Sequence, residues 1–188
     1  MTVEVVHIKH EAFFNMIASA TETFKRECLG IIFGISPTQK KNEFLIMNAI
    51  SLQSVRSRKN TEVTQSALGQ KRLSRLFDGA HQVFPVVGMF HSHPEWGIFK
   101  GSPEMSEADI RSMIGLGFKL EFIIVVSSRK KGFQPWEMQE DGSIKGSLSR
   151  YNFHFNAYTL HGGTAKKLRI FTPVALRALN KAVFSKTR

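Results

Sequence analysis

The chain has 188 residues, 42% hydrophobic and 22% charged, with 26 Lys and Arg against 15 Asp and Glu, for a formal net charge of +11. This is an ordinary globular composition, long enough to build one packed domain. The lone cysteine, Cys28, excludes an internal disulfide and a Cys-rich zinc knuckle. The first residues carry no basic segment followed by a long apolar stretch, and no apolar run approaches a membrane span, so a soluble cytoplasmic chain is expected.

The elements follow in order. Phe13, Met16, Ile17, Ala20 and Phe24 recur at helical spacing over residues 10–26. Glu27-Cys28-Leu29-Gly30-Ile31-Ile32-Phe33-Gly34 then reads as a short apolar strand, a Ser-Pro turn follows, and residues 43–52 suit its hairpin partner. A polar, basic loop over 54–64 leads to a helix near 65–82, and residues 84–91 are apolar on both faces, as in a central strand. Ile110, Met113 and Ile114 give a helix ending at Gly115-Leu116-Gly117, and 120–127 is another buried strand. Asp141-Gly142 joins 135–140 and 143–147 as a hairpin, and the alternation over 151–158 suits a half-buried edge strand. Beyond the break at Gly162-Gly163, Thr172 and Pro173 suit the N-cap and first position of a short basic helix. The expected fold is α+β, three-layer-like (α/β/α), with a mixed, largely antiparallel central sheet flanked by helices. Residues 1–160 form the domain and 161–188 a basic C-terminal extension.

Charge is unevenly placed. Lys166, Lys167, Arg169, Arg177, Lys181, Lys186 and Arg188 meet no acid after His161, and a second basic stretch over 56–75 is opposed only by Glu62. Either these are solvated surfaces or they meet an anionic partner, an acidic protein or a nucleic acid; no RNA-binding aromatic signature supports the latter.

The chemistry concentrates in Val86-Val87-Gly88-Met89-Phe90-His91-Ser92-His93-Pro94 and Ser106-Glu107-Ala108-Asp109. Strand side chains alternate, so His91 and His93 share a face. Two imidazoles with a carboxylate from a following helix suit zinc with one position left for water. Ser106 and Asp109 equally suit a helix cap, which does not exclude ligation.

With the upstream Glu27-Cys28-Leu29-Gly30, these segments resemble the JAMM, or MPN-domain, metalloproteases, over roughly residues 5–130. The resemblance implies an MPN-like fold and one zinc ion per chain, held by His91, His93 and Asp109. Zinc lowers the pKa of a bound water to about 7; Glu27 would act on that water as general base and return the proton to the leaving amine. Ser106 would stabilise the oxyanion or cap the helix. Ser106 and Asp109 follow the second histidine by 13 and 16 residues, a longer loop than the family's. The usual offsets fall on Gly101 and Glu104, which makes Glu104 the rival third ligand. The longer loop carries Trp96, Ile98 and Phe99, which pack back on the core or form a flap that binds an extended substrate.

The activity implied is zinc-dependent cleavage of isopeptide or peptide bonds after the C-terminal tail of ubiquitin or a ubiquitin-like protein, the tail adding as a strand beside the site. The other readings are a non-catalytic MPN scaffold, or a nucleic-acid-associated module using the basic surface. No membrane partner is expected.

Overall fold

The computed structural model describes residues 4–59, 62–80, 83, 85–130 and 132–184. Helix α1 (His10–Glu22) forms where the apolar stripe predicts and buries Ala12, Phe13, Met16, Ile17 and Ala20. It stops before residue 26 because the chain turns after Thr23 and takes a left-handed φ of 79° at Lys25. The strands β1 (Val5–Ile8), β2 (Leu29–Ile35) and β3 (Glu43–Ser51) surround it in sequence. The basic loop contains a separate hairpin, β4 (Val55–Arg58) and β5 (Val63–Gln65), followed by α2 (Ala67–Ala80). Then come β6 (Val86–Glu95), α3 (Glu107–Leu116), β7 (Leu120–Ser128), β8 (Glu137–Met138) and β9 (Ile144–Leu148). The chain finishes with β10 (Tyr151–His161), β11 (Thr164–Phe171) and α4 (Pro173–Phe184). The ends expected at Gln82 and Phe84 lie outside the described residues.

The fold is α+β with a mixed sheet, but the sheet closes on itself rather than lying open between two helix layers. Its order is β11-β1-β3-β2-β6-β7-β10-β9-β8, and β10 also pairs with β11. The cause is the length of β10, whose one edge pairs with β7. On its other edge Tyr151 to Phe155 take β9, and Ala157 to His161 take β11. Closure removes the edges an open sheet would expose. The strand over 151–158 is therefore interior rather than an edge; its alternation separates a core face from a face covered by loops. The pairs β1–β11, β1–β3 and β6–β7 are parallel, and the other pairs of the large sheet are antiparallel.

The segment expected as an appendage supplies β11, which closes the sheet, and α4, whose Ala175 and Leu179 lie in the same core as Phe13 of α1. Two of its cations are paired, Lys166 with Glu4 and Lys167 with Asp141. Thr172 precedes α4, but its buried Oγ1 makes no hydrogen bond, so the side-chain cap is not formed.

Strand alternation then sorts the site. Ile32 and Phe90 face the core around α1, whereas Leu29, Ile31, Phe33 and Met89 face a second cluster that includes Leu73 and Phe77 of α2. Residues 91 and 93 share Met89's face, outside the main core. Leu179→Ala is expected to cost about 2–4 kcal/mol in denaturant unfolding, as for an interior leucine. A cost below about 0.5 kcal/mol would return α4 to the status of an appendage.

Candidate metal centre

Strand β6 pairs with β2 as far as Leu29↔His91, while its parallel pairing with β7 continues to Glu95↔Ser127. The strand thus runs through the His-Ser-His-Pro segment and beyond the end expected at residue 91. His91 and His93 converge, with their Nε2 atoms 2.9 Å apart. Each ring is held from behind. His91 Nδ1 lies 2.9 Å from Glu121 Oε1, and His93 Nδ1 lies 2.6 Å from the Ser102 carbonyl oxygen. An acceptor at Nδ1 places the neutral ring's proton there and leaves the Nε2 lone pair directed into the site.

Asp109 stands in the first turn of α3. Its Oδ2 accepts from the Ser106 backbone N–H at 2.8 Å and from the Ser106 hydroxyl at 2.7 Å, while Ser106 Oγ accepts from the Asp109 N–H at 3.2 Å. This is a reciprocal capping box. The other oxygen, Oδ1, lies 3.6 Å from His91 Nε2. One carboxylate therefore caps with one oxygen and faces the histidines with the other. Glu104 is engaged elsewhere, its Oε2 2.8 Å from the Tyr158 hydroxyl, which also lies 2.9 Å from the Pro103 carbonyl oxygen. Burial, reinforced by Glu104, raises the Tyr158 pKa well above the usual phenol range.

One donor atom from each of His91, His93 and Asp109 lies within 4.8 Å of the other two. Ligands of a tetrahedral zinc stand about 3.3 Å apart, from metal–ligand bonds of about 2.05 Å. The separations of 2.9 and 3.6 Å bracket that value. Two imidazoles and a carboxylate are also a donor set that zinc accepts with a position to spare.

Glu27 lines the same pocket, about 410 Å³ in volume. It is only 5% exposed, and burial pushes its carboxyl from 4.5 up to about 7. His91 opposes that rise, and Asp109 and Glu62 add to it. Its backbone N–H donates to the Lys59 carbonyl at 2.9 Å, which ties it to the β4–β5 hairpin. The next N–H, of Cys28, donates to Ser92 Oγ at 2.9 Å. Ser92 thus faces away from the site and locks the Glu27 segment to the strand bearing the histidines. Cys28 is buried in the core.

The long loop divides the three aromatic and aliphatic candidates. Phe99 lines the pocket. Trp96 packs back on the molecule, its Nε1 donating to the Lys25 carbonyl at 3.2 Å beneath the Lys25 ammonium, 5.2 Å from the ring centroid. Ile98 projects from the tip, 90% exposed, after Gly97 takes a left-handed φ of 60°. Sequence reasoning missed Glu121, Ser92 and Tyr158. Glu121 had a signal, a lone acid inside the run Leu120-Glu121-Phe122-Ile123; the other two depend on cross-strand register.

The family model of prokaryotic homologues of the JAB domain matches residues 9–139. The chain belongs to that family. Among curated proteins this JAB-domain chain is similar to two described as Lys-63-specific deubiquitinase BRCC36. The one from Xenopus laevis is 28% identical over 121 residues, and that from Xenopus tropicalis 27% identical over the same length. In both cases the match covers 63% of this chain and 46% of the relative, so the chain spans less than half of these relatives' length.

Glu121→Gln is expected to lower metal affinity about 10–100-fold in a chelator competition, with the fold retained. An unchanged affinity would remove Glu121 from the centre. Between pH 4.5 and about 7 the folded metal-free protein keeps the Glu27 proton that the unfolded chain releases, so its stability falls as pH rises through that window. In chelator, Glu27→Gln should exceed the wild type by about 2–3 kcal/mol near pH 8 and match it near pH 4. Urea unfolding at both pH values checks this, and a pH-independent difference would contradict it.

Proposed function

We propose that this JAB-domain chain is a zinc-dependent hydrolase that cleaves isopeptide or peptide bonds after the extended C-terminal tail of ubiquitin or a ubiquitin-like protein. The observation that carries this reading is Glu27, buried in the pocket onto which three metal-donor atoms converge and held near neutral pKa. The family and the deubiquitinase relatives support the same reaction class.

His91, His93 and Asp109 would hold one zinc ion, which supplies a Lewis acid and acidifies water. Glu27 takes the proton of the attacking water and delivers it to the departing amine as the C–N bond breaks, which suits a group that titrates near 7. Glu121 and the Ser102 carbonyl keep both imidazoles in the ligating tautomer. The Ser106 hydroxyl donates a hydrogen bond to Asp109 Oδ2, so its first part is to orient that carboxylate. It lines the pocket, and an oxyanion contact requires that hydroxyl to turn from Asp109.

The substrate tail is assigned to the groove beside β5. That strand is one edge of a two-stranded hairpin, and its Val63 and Thr64 line the same pocket as Phe99 and Lys100 of the long loop. An extended peptide can take up the backbone groups of such an edge. Phe99 would pack against the tail and Ile98 would reach the folded part of the modifier, with Trp96 anchoring the turn that presents them. The complete donor set and the buried base favour an enzyme over a scaffold.

The test is zinc content together with cleavage of ubiquitin chains and ubiquitin-like fusions. Wild type should hold about one zinc per chain, with chelator-sensitive turnover. Glu27→Gln should keep the metal and lose turnover by roughly 10²–10⁴-fold. Asp109→Ala should lose the metal while Glu104→Ala keeps it. Cleavage that persists in Glu27→Gln, or a protein that takes up no zinc, would overturn the proposal.

A further inference from the structure

The face of β7 and β10 turned away from the main core carries polar side chains that the hydrolase reading leaves unused. Phe122, Ile124 and Val126 of β7, and Phe153, Phe155 and Ala157 of β10, point into that core. Alternation therefore turns Glu121 and Ile123, and His154, Asn156 and Tyr158, to the opposite face, which His91 of β6 shares. Asn156 is fully buried there, and neither its Nδ2 nor its Oδ1 has a hydrogen-bond partner among the described residues. A buried amide in that state is costly, and native interiors rarely leave one so.

Register places a second orphaned group beside it. Ile123 pairs with His91 on one side and with Asn156 on the other. Glu121, two residues earlier on the same face, is thus the diagonal neighbour of both, at a separation that a long side chain largely spans. Its Oε1 lies 2.9 Å from His91 Nδ1, while its Oε2 is buried with no partner among the described residues. The Tyr158 hydroxyl, directly across from Glu121 in register, is engaged by Pro103 and Glu104 instead. His154 Nε2 is unpartnered too, but His154 stands opposite Val125, one row further from Glu121. Asn156 is therefore the nearest unpaired donor to Glu121 Oε2 on this face.

We infer that Asn156 is a positioning residue for the metal centre: its amide N–H donates to one buried water, and that water donates to Glu121 Oε2, which fixes the carboxylate behind His91. Two polar groups closed off from solvent and too far apart for direct contact are the usual partners of such a water. A carboxylate held at both oxygens stays on the Nδ1–H of His91, and so keeps Nε2 directed into the site. A purely space-filling Asn156 would differ, because leucine, of similar shape, could replace it with no consequence for His91. The inference deepens the reading above and rests on its metal centre, not on Glu27 or on the substrate.

The test compares the full chain with Asn156→Leu and Asn156→Ser, the second keeping a donor and leaving room for a further water. Chelator competition should show zinc affinity lowered about tenfold in Asn156→Leu and by less than about threefold in Asn156→Ser. In a Glu121→Gln background, Asn156→Leu should lower affinity by less than about twofold further, since the group it positions is already altered. In the metal-free protein, the His91 Nδ1–H proton resonance should be sharp in the wild type and in Asn156→Ser and broadened by exchange in Asn156→Leu. Cooperative melting of each variant shows that the fold is retained. A high-resolution crystal structure of the wild type, which needs no variant, should show a water within hydrogen-bond distance of both Asn156 Nδ2 and Glu121 Oε2. Unchanged zinc affinity and an unchanged His91 resonance in Asn156→Leu would overturn the inference, as would an equal loss in the Glu121→Gln background or a crystal structure without that water. The resonance and the water are read without zinc, so a protein that takes up no zinc would overturn the hydrolase reading and leave this one to be decided on them.

Discussion

Strand β6 is hydrogen-bonded along both edges as far as Ser92, whose N–H donates to the Cys28 carbonyl at 3.3 Å, and along one edge beyond it. That change of pairing is where the pocket opens. Up to His91 the strand is an interior element whose side chains must be accommodated on both faces. Past Ser92, β7 alone pairs with the strand, Pro94 costs no pairing to β2, and the loop that follows is free to fold over the site. Glu27 sits where β2 begins, beside that departure, and the Cys28–Ser92 contact fixes its distance from the histidines. Glu27 and the donor atoms are thus positioned by one feature of the sheet.

The parallel pairing of β6 with β7 adds a second layer of control. Met89 pairs with Glu121 and His91 with Ile123, so Glu121 points from the neighbouring strand to the back of the His91 ring. Such a buried carboxylate is costly unless a positive group or a donor meets it. Here burial raises the pKa values of both Glu121 and Glu27, and their charged forms are best accommodated when a cation joins the site. The pocket carries Glu27, Glu62, Asp109 and Glu121 within a protein of net charge +11.

The longer loop between the second histidine and α3 is accommodated by specific tethers. Ser102 bonds His93, Pro103 and Glu104 meet Tyr158, and Gly101 lies so close to His93 and Val125 that an added Cβ would stand 2.6 Å from the His93 carbonyl oxygen. The extra residues therefore help hold the His93 ring and keep Glu104 against Tyr158. Trp96 acts similarly at the tip, docking the loop on the turn that precedes Glu27.

What could be read from the residues alone were the local patterns: the α1 stripe, the β2–β3 hairpin, the face shared by His91 and His93, and the cap at Ser106. Strand alternation and first-turn geometry are properties of a few consecutive residues, so their spacing carries them. The family followed from the same short segments. Closure of the sheet, the inclusion of β11 and α4 in the core, and the interior position of β10 were decided by the tertiary structure, because each depends on which distant strand occupies which edge. The same holds for Glu121 behind His91, Ser92 beneath Glu27 and Tyr158 against Glu104. Those contacts arise from register between strands and loops far apart in sequence, which no local pattern encodes.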